Sequence, residues 1–233
     1  MTNHFAPTPA RLPVGSRFDG MPLISVTALA GVPGFVRHAY GEGLLRRATS
    51  AAMLDIEAIE TQDCFIPHVT MTSFTDAVAR LAGEEYFGLR LAPHLSIASY
   101  GCWGDYALAA PTLGAAIERV TATMHFHSRG DRAGLEVEGG RARFTYLSAA
   151  RGREGYPHVA CGAAGVMLSL CRSFLGPDWR PQRIEIDLPR PLRPAIFEET
   201  FDCPVVFYAP KVALCFDAER LKAASAPRRA PAL

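Results

Sequence analysis

Lysine is almost absent from this sequence: Lys211 and Lys222 are its only lysines. The 24 lysines and arginines nearly balance 23 aspartates and glutamates, so the formal net charge is +1 and the pI is about 7.7. No bulk positive charge is available to attract nucleic acid or an anionic membrane. Hydrophobic residues make up 49% and charged residues 20% of the chain. This composition is typical of a globular protein and excludes a fibrous or wholly disordered one.

The sequence also lacks the signals of export, structural zinc and the commonest enzymes. Residues 1–20 carry prolines and charges where a signal peptide needs an apolar run. The most apolar stretch, 159–170, is shorter than the roughly 20 residues that span a bilayer. No cysteine pair has zinc-ligand spacing, and no P-loop, dinucleotide-binding, nucleophile-elbow or HExxH motif occurs. We therefore expect a cytoplasmic protein with reduced cysteines and without catalytic residues, cofactor, metal or membrane contact.

Apolar residues recur at helical spacing in the first half of the chain and predict helices over 44–52, 74–81 and 113–124. The hydroxyl of Thr72 or Ser73 is placed to cap the second of these helices. Thr112 is placed to cap the third. Farther along, Pro157 predicts the start of a long apolar helix that ends at Gly176-Pro177.

Alternating apolar residues predict strands in the second half. The runs on either side of Gly139-Gly140 form a predicted hairpin, because two glycines supply the positive φ angles of a tight turn. Further strands are predicted over 184–188, 205–207 and 212–216, the last two as a second hairpin. The order predicts an α+β fold in which N-terminal helices are followed by a mainly antiparallel sheet of about five strands with an intervening long helix. Residues 1–22 and 221–233 are predicted to be flexible, leaving one domain over 23–220.

Five polar or aromatic residues near the predicted helix-to-sheet junction are candidate ligand contacts: Trp103, His125, His127, Arg143 and Tyr146. Trp103 belongs to an aromatic group with Tyr100 and Tyr106 that is either a ligand wall or part of the core. The two histidines would share a face in a strand, but without a third ligand a partly buried pair is the alternative to a metal site.

Arg143 and a cysteine–histidine pair can each be explained without a functional role. Arg143 lies on the polar face of the predicted hairpin, which is suited either to an anionic ligand or simply to solvent. Cys161 with His158 could form a nucleophile and base, although a cysteine on an apolar helix usually packs in the core.

Several stretches stand out in collinear order: YFGLRL (86–91), AAPTLGAAI (109–117), LGPDWRP (175–181) with IEI (184–186), and FDCPVVF (201–207) with ALCFD (213–217). Together they resemble the N-terminal, arabinose-binding-type sensor domain of AraC-type transcriptional regulators. The resemblance covers roughly residues 30–220. Thr112, Gly176-Pro177 and Cys203-Pro204 fit structural roles in these motifs, as helix cap, helix stop and turn.

The resemblance implies a non-enzymatic domain that senses a small-molecule effector and contributes to a homodimer. Members of the family continue into a C-terminal helix–turn–helix region, whereas this chain ends soon after its last predicted strand. We therefore expect DNA contact only through a helix–turn–helix domain that is not present in this chain. Two alternatives stay open: a stand-alone module that pairs with full-length regulators without an effector, and a small Cys/His enzyme.

Overall fold

A computed structural model describes residues 20–61 and 64–224. Most of the predicted arm and tail, residues 1–19 and 225–233, lies outside the described residues. The α-helices are α1 Val32–Tyr40, α2 Glu42–Ala51, α3 Ile56–Thr61, α4 His68–Ala82, α5 Phe87–Leu91, α6 Gly101–Leu108, α7 Leu113–His127, α8 Tyr156–Leu175 and α9 Ala195–Phe201. The strands are β1 Leu23–Ser25, β2 Phe65–Pro67, β3 Ser128–Arg129, β4 Arg132–Glu138, β5 Arg141–Leu147, β6 Arg183–Glu185, β7 Val205–Val206 and β8 Val212–Asp217.

A five-stranded sheet in the order β4-β5-β8-β6-β7 confirms the predicted α+β fold. Its pairs are antiparallel except β6–β7, and the long helix α8 intervenes between β5 and β6. The predicted first hairpin is β4–β5, and Gly139 and Gly140 both have positive φ, at 56° and 76°. A second, three-stranded sheet in the order β2-β1-β3 was not predicted, because its strands are only two or three residues long.

The second predicted hairpin is wrong. β7 pairs with β6 in parallel, and β6 lies between β7 and β8 in the sheet. Backbone hydrogen bonds fix this arrangement: the Ile184 amide donates to Pro204 and the Ile186 amide donates to Val206. The segment from β7 to β8 therefore crosses over β6, and Tyr208 in this crossover adopts a positive φ of 60°.

The helix predictions differ in how well their starts agree with the structure. Thr112 caps α7 as predicted, since its hydroxyl accepts a hydrogen bond from the Ala115 amide at 3.2 Å. The predicted cap of α4 is wrong, because the helix begins at His68, immediately after Pro67. Thr72 is inside the helix, where its hydroxyl donates to the Val69 carbonyl.

Helix α8 runs through the core. It is longer than the predicted apolar stretch, and by length and composition alone it could cross a bilayer, so length does not exclude a membrane span. Its burial indicates a core helix rather than a membrane span, because 61% of its most apolar 18-residue stretch is buried inside the protein. Its neighbours lie very close: a Cβ at Gly165 would come within 2.4 Å of the Ala92 carbonyl oxygen. Such contacts are those of the core helix of a folded domain.

The last described residues pack against α7. Leu113 donates its amide to the Ala223 carbonyl, and Leu221 contacts the helix beside Gly114. The ordered domain therefore includes at least residues 221–224, the first part of the segment predicted to be a tail.

Candidate ligand-binding cavity

A cavity lies between α8, the inner face of the five-stranded sheet and the N-terminal elements. Its free volume is about 100 Å³, which is enough for several water molecules or a small organic ligand. α8 forms one wall with a residue on each turn, and Phe144 and Tyr146 of β5 form part of the opposite one. The alternation of β5 explains this wall, since Ala142, Phe144 and Tyr146 share the face that points to the helix.

The surface of the cavity is mainly aliphatic and thioether. Met71, Met124 and Met167 come from three different helices and meet at it. Methionine side chains are unbranched and polarisable, so they adapt to ligands of different shapes. Polar atoms come from a few of the remaining lining residues: Thr75, Tyr100, Trp103, His127, Tyr146 and His158.

Three of the five predicted contacts lie at this cavity: Trp103, His127 and Tyr146. The Trp103 ring stacks on the His127 imidazole with 4.5 Å between centroids and 10° between planes. Tyr100 stacks on the same imidazole at 4.8 Å. The Trp103 Nε1 donates to the carbonyl and hydroxyl oxygens of Thr123 on α7, which holds the indole in this orientation. Tyr100 and Trp103 of the predicted aromatic group thus line the cavity and also pack against the core, whereas Tyr106 is exposed and lies under Arg119.

His127 occupies the last turn of α7 and is 5% exposed. Its Nδ1 is buried without a hydrogen-bond partner among the described residues. Burial lowers its pKa to about 4; the Asp131 carboxylate opposes this shift and His68 adds to it. The imidazole is therefore neutral at physiological pH, with one nitrogen as donor and the other as acceptor.

A buried carboxylate stands behind the cavity wall. Asp131 accepts hydrogen bonds from the Tyr146 hydroxyl at 2.6 Å, from the Ser148 hydroxyl at 3.2 Å and from the Ala149 amide at 2.7 Å. His68 Nε2 lies 3.4 Å from the same carboxylate, and desolvation lowers the pKa of this histidine. These contacts hold the Tyr146 ring against the cavity and satisfy the Asp131 oxygens within the protein.

The other two predicted contacts do not line the cavity. His125 is exposed, because residues two apart on a helix point in nearly opposite directions, and both histidines lie in α7. The strand geometry that would have paired them is therefore wrong. Arg143 lies on the outer face of the sheet, where it pairs with Glu136 and Glu185. Its guanidinium is already used by two carboxylates.

The Cys/His alternative finds little support in the geometry. Burial raises the pKa of Cys161 to about 12, so its sulfur is a thiol rather than a nucleophilic thiolate. The His158 Nδ1 accepts from the Gly88 amide instead of contacting a nucleophile. Across residues 20–61 and 64–224, no group of three or more His, Cys, Asp or Glu side chains could hold a metal ion.

Sequence reasoning missed the buried groups behind the wall. Asp131 follows Gly130 in what looks like an ordinary polar turn, and His68 follows a proline that gave no sign of a buried helix start. The apolar part of the lining was visible in the sequence, since Met124, Val166, Met167 and Leu170 lie on the apolar faces of predicted helices. Nothing in periodicity separates a residue that packs in a core from one that lines a cavity.

Comparisons with known proteins agree with this architecture. Residues 44–224 match the family model described as the arabinose-binding domain of AraC transcription regulators, N-terminal. The crystal structure of the transcriptional regulator CdpR from Pseudomonas aeruginosa has a similar fold, with a TM-score of 0.53 and 16% sequence identity. The similarity covers 79% of this chain and 56% of the CdpR chain, so this chain spans little more than half of that regulator. No curated protein matches the sequence.

The family match extends over most of the chain and includes every stretch from 86 to 217 on which the sequence resemblance was based. The chain therefore belongs to the family of arabinose-binding N-terminal domains of AraC-type transcription regulators.

Proposed function

We propose that this chain is the effector-sensing and dimerisation domain of a cytoplasmic AraC-type transcriptional regulator and has no enzymatic activity. A small molecule bound between α8 and the sheet is the signal. Contact with DNA comes from a separate helix–turn–helix domain. The observation that carries the proposal is the cavity itself, which is apolar, lies at the centre of the fold and contains a few convergent polar groups.

The position of the cavity supports a sensing role. Its walls belong to α4, α7, α8 and β5, so a bound molecule would contact both the N-terminal helices and the sheet. Any ligand that binds this folded arrangement and not the unfolded chain stabilises it, by about 2.7 kcal/mol at a concentration of 100 times the dissociation constant. Sensing therefore predicts a ligand-dependent rise in melting temperature.

A cavity-filling variant tests the proposal. Ala163→Phe places a phenyl ring in the cavity from α8, whereas Ala122→Phe makes the same substitution on the exposed surface of α7. We expect compounds that raise the melting temperature of the native chain to lose their effect in Ala163→Phe and to keep it in Ala122→Phe. Stabilisers that act equally on both variants would place binding outside the cavity and contradict the proposal.

Dimerisation is tested separately, by sedimentation equilibrium at micromolar concentrations. We expect the mass of a homodimer, and a strict monomer would remove this part of the proposal. A dimer for which a broad compound screen finds no stabiliser would instead favour a module that acts by pairing with full-length regulators.

A further inference from the structure

We propose that the cavity takes an uncharged, mainly apolar molecule with one hydrogen-bonding group, and that the His127 imidazole binds this group. The inference rests on the proposed function, since it gives the chemical class of the effector. Alcohols, phenols, ketones and lactones of modest size belong to this class. Free sugars, carboxylates and amines do not.

The first argument is the absence of charge at the cavity. Among the described residues that line it, none is Asp, Glu, Lys or Arg. The two lining histidines do not supply a positive charge, because burial lowers the pKa of both His127 and His158. A charged ligand would lose its hydration there without gaining a counter-ion, which is costly in an apolar site. The Asp131 carboxylate is not a substitute, since it lies behind Tyr146 with its oxygens already hydrogen-bonded.

The second argument is the small number of free polar groups: among the described lining residues, unused hydrogen-bonding capacity lies mainly at the Tyr100 hydroxyl and the two imidazoles. The Tyr146 hydroxyl donates to Asp131, and the Trp103 Nε1 donates to Thr123. The Thr75 hydroxyl donates to carbonyls of its own helix. A monosaccharide carries a hydroxyl on nearly every carbon, and each one buried without a partner costs about 1–3 kcal/mol. This lining therefore does not suit a free sugar, despite the name of the family.

The third argument is the state of His127. Its ring is fixed by stacking on Trp103 and Tyr100, and its buried Nδ1 has no hydrogen-bond partner within residues 20–61 and 64–224. An imidazole held at a cavity with unused hydrogen-bonding capacity provides a defined position for one polar group of a ligand. The surrounding methionine and aliphatic side chains then contact the apolar remainder.

Probes with one shared skeleton test the inference. Phenylbutanol, phenylbutyrate, phenylbutylamine and butylbenzene differ only at the end of the chain, and arabinose serves as the sugar. Trp103 and Trp179 are the two tryptophans of the sequence, so Trp179→Phe leaves Trp103 at the cavity as the fluorescent reporter. Calorimetric titration of the native chain repeats each measurement without a substitution. We expect phenylbutanol to bind roughly tenfold or more tightly than either charged probe, and arabinose to give no saturable signal.

His127→Phe examines the polar contact while keeping an aromatic ring in the stack. It should reduce the preference for phenylbutanol over butylbenzene about fivefold, the loss expected for one hydrogen bond. His125→Phe is the matched control on the exposed side of the same helix and should keep the preference. An unchanged preference in His127→Phe would overturn the assignment of this residue.

The outcomes separate this inference from the proposed function. Tighter binding of phenylbutyrate, phenylbutylamine or arabinose, abolished by Ala163→Phe, would overturn the inference and leave the cavity as the sensing site. Binding of none of the probes, or binding that Ala163→Phe does not affect, would contradict both.

Discussion

The two faces of the five-stranded sheet use polar groups in opposite ways. On the outer face, Arg143 links Glu136 of β4 to Glu185 of β6, and Arg183 and Lys211 complete the ion pairs. On the inner face, strand residues are apolar apart from Tyr146, and the nearby His127 has a buried nitrogen with no partner in the part of the chain that the structure describes. The charged groups of the outer face are paired with each other, whereas the inner face has a hydrogen-bonding group that is available to a ligand.

This difference indicates which face is structural and which is available to a ligand. Ion pairs between strands of one sheet stabilise it and leave these side chains little capacity to bind a further partner. An unpaired buried nitrogen lowers stability, so a fold that retains one at a cavity has the arrangement expected of a binding site. Substitutions that remove a satisfied group should therefore destabilise the protein, and removal of the unsatisfied group should not.

The largest effect should follow from breaking the network that supports the cavity wall. Asp131→Ala leaves the Tyr146 and Ser148 hydroxyls and the Ala149 amide without their buried acceptor. We expect a loss of about 4 kcal/mol in the free energy of unfolding, measured by urea denaturation. Asp131→Asn, which keeps an acceptor oxygen, should lose less. Equal losses in the two variants would indicate that side-chain volume, not hydrogen bonding, holds this site.

The next effect is an acid-dependent loss of stability through His127. Its pKa is about 4 in the folded protein and about 6.5 in an unfolded chain. Above pH 6.5 both states are neutral and stability does not depend on this group. As pH falls from 6.5 to 4, the unfolded state takes up a proton that the folded state excludes, so stability decreases by about 3 kcal/mol. Asp131 and His68 face the same ring, and their effects are included in this value.

Comparison of variants isolates this contribution from other titrating groups. The difference in unfolding free energy between His127→Phe and the native chain should grow in favour of the variant as pH falls through this window. His125→Phe should follow the native chain throughout, because His125 is exposed. Parallel curves for His127→Phe and the native chain would show that His127 is accessible to protons in the folded state.

A smaller effect is expected on the outer face. In Arg143→Ala, Glu185 keeps its ion pair with Arg183, and the cluster is partly exposed to solvent. We therefore expect the free energy of unfolding to fall by about 1–2 kcal/mol, which is less than the full cost of an unpaired buried charge. Burial alone would raise the pKa of Glu185, but the hydrogen bonds from Arg143 and Arg183 hold it below the usual value. The stabilisation is thus present above the unfolded pKa and is lost as pH falls through the folded one.

The exposed Arg141 on the same strand provides the control for this prediction. Arg141→Ala should change the free energy of unfolding by less than about 0.5 kcal/mol. The difference in free energy of unfolding between Arg143→Ala and Arg141→Ala should become smaller in acid as Glu185 becomes protonated. A gap that stays constant down to the acid transition would mean that Arg143 stabilises the sheet by packing and not by charge.

Local signals in the sequence were sufficient for much of the fold. The Thr112 cap, the Gly139-Gly140 turn and the Gly176 helix end depend on neighbouring residues, and all three were predicted correctly. The pairing of β7 with β6 depends on residues far apart in sequence, and short strands carry no signal for their partner.

The candidate site shows the same limit. Strand alternation alone requires Arg143 and Tyr146 to lie on opposite faces, and helical geometry separates His125 from His127. For the strand pair, the sequence already put Arg143 on the polar face, but it could not show whether a ligand or solvent lies there. For the helix pair, it did not show which histidine faces inward. The burial pattern of the whole fold decides, because it depends on how α8 packs against the sheet, where it contacts β8 and leaves the cavity beside β5.

The smallest effect is the sharpest test of the comparison between the two faces. At pH 8, where His127 is neutral in both states, His127→Phe removes a buried nitrogen that no described residue hydrogen-bonds and keeps an aromatic ring between α7 and α6. We expect the free energy of unfolding to increase by about 1 kcal/mol, or roughly 2–4 °C in melting temperature for a domain of this size. His125→Phe should leave both quantities unchanged. A loss of stability in His127→Phe would mean that the imidazole is satisfied in the free protein, and the inner face would then hold no group in reserve for a ligand.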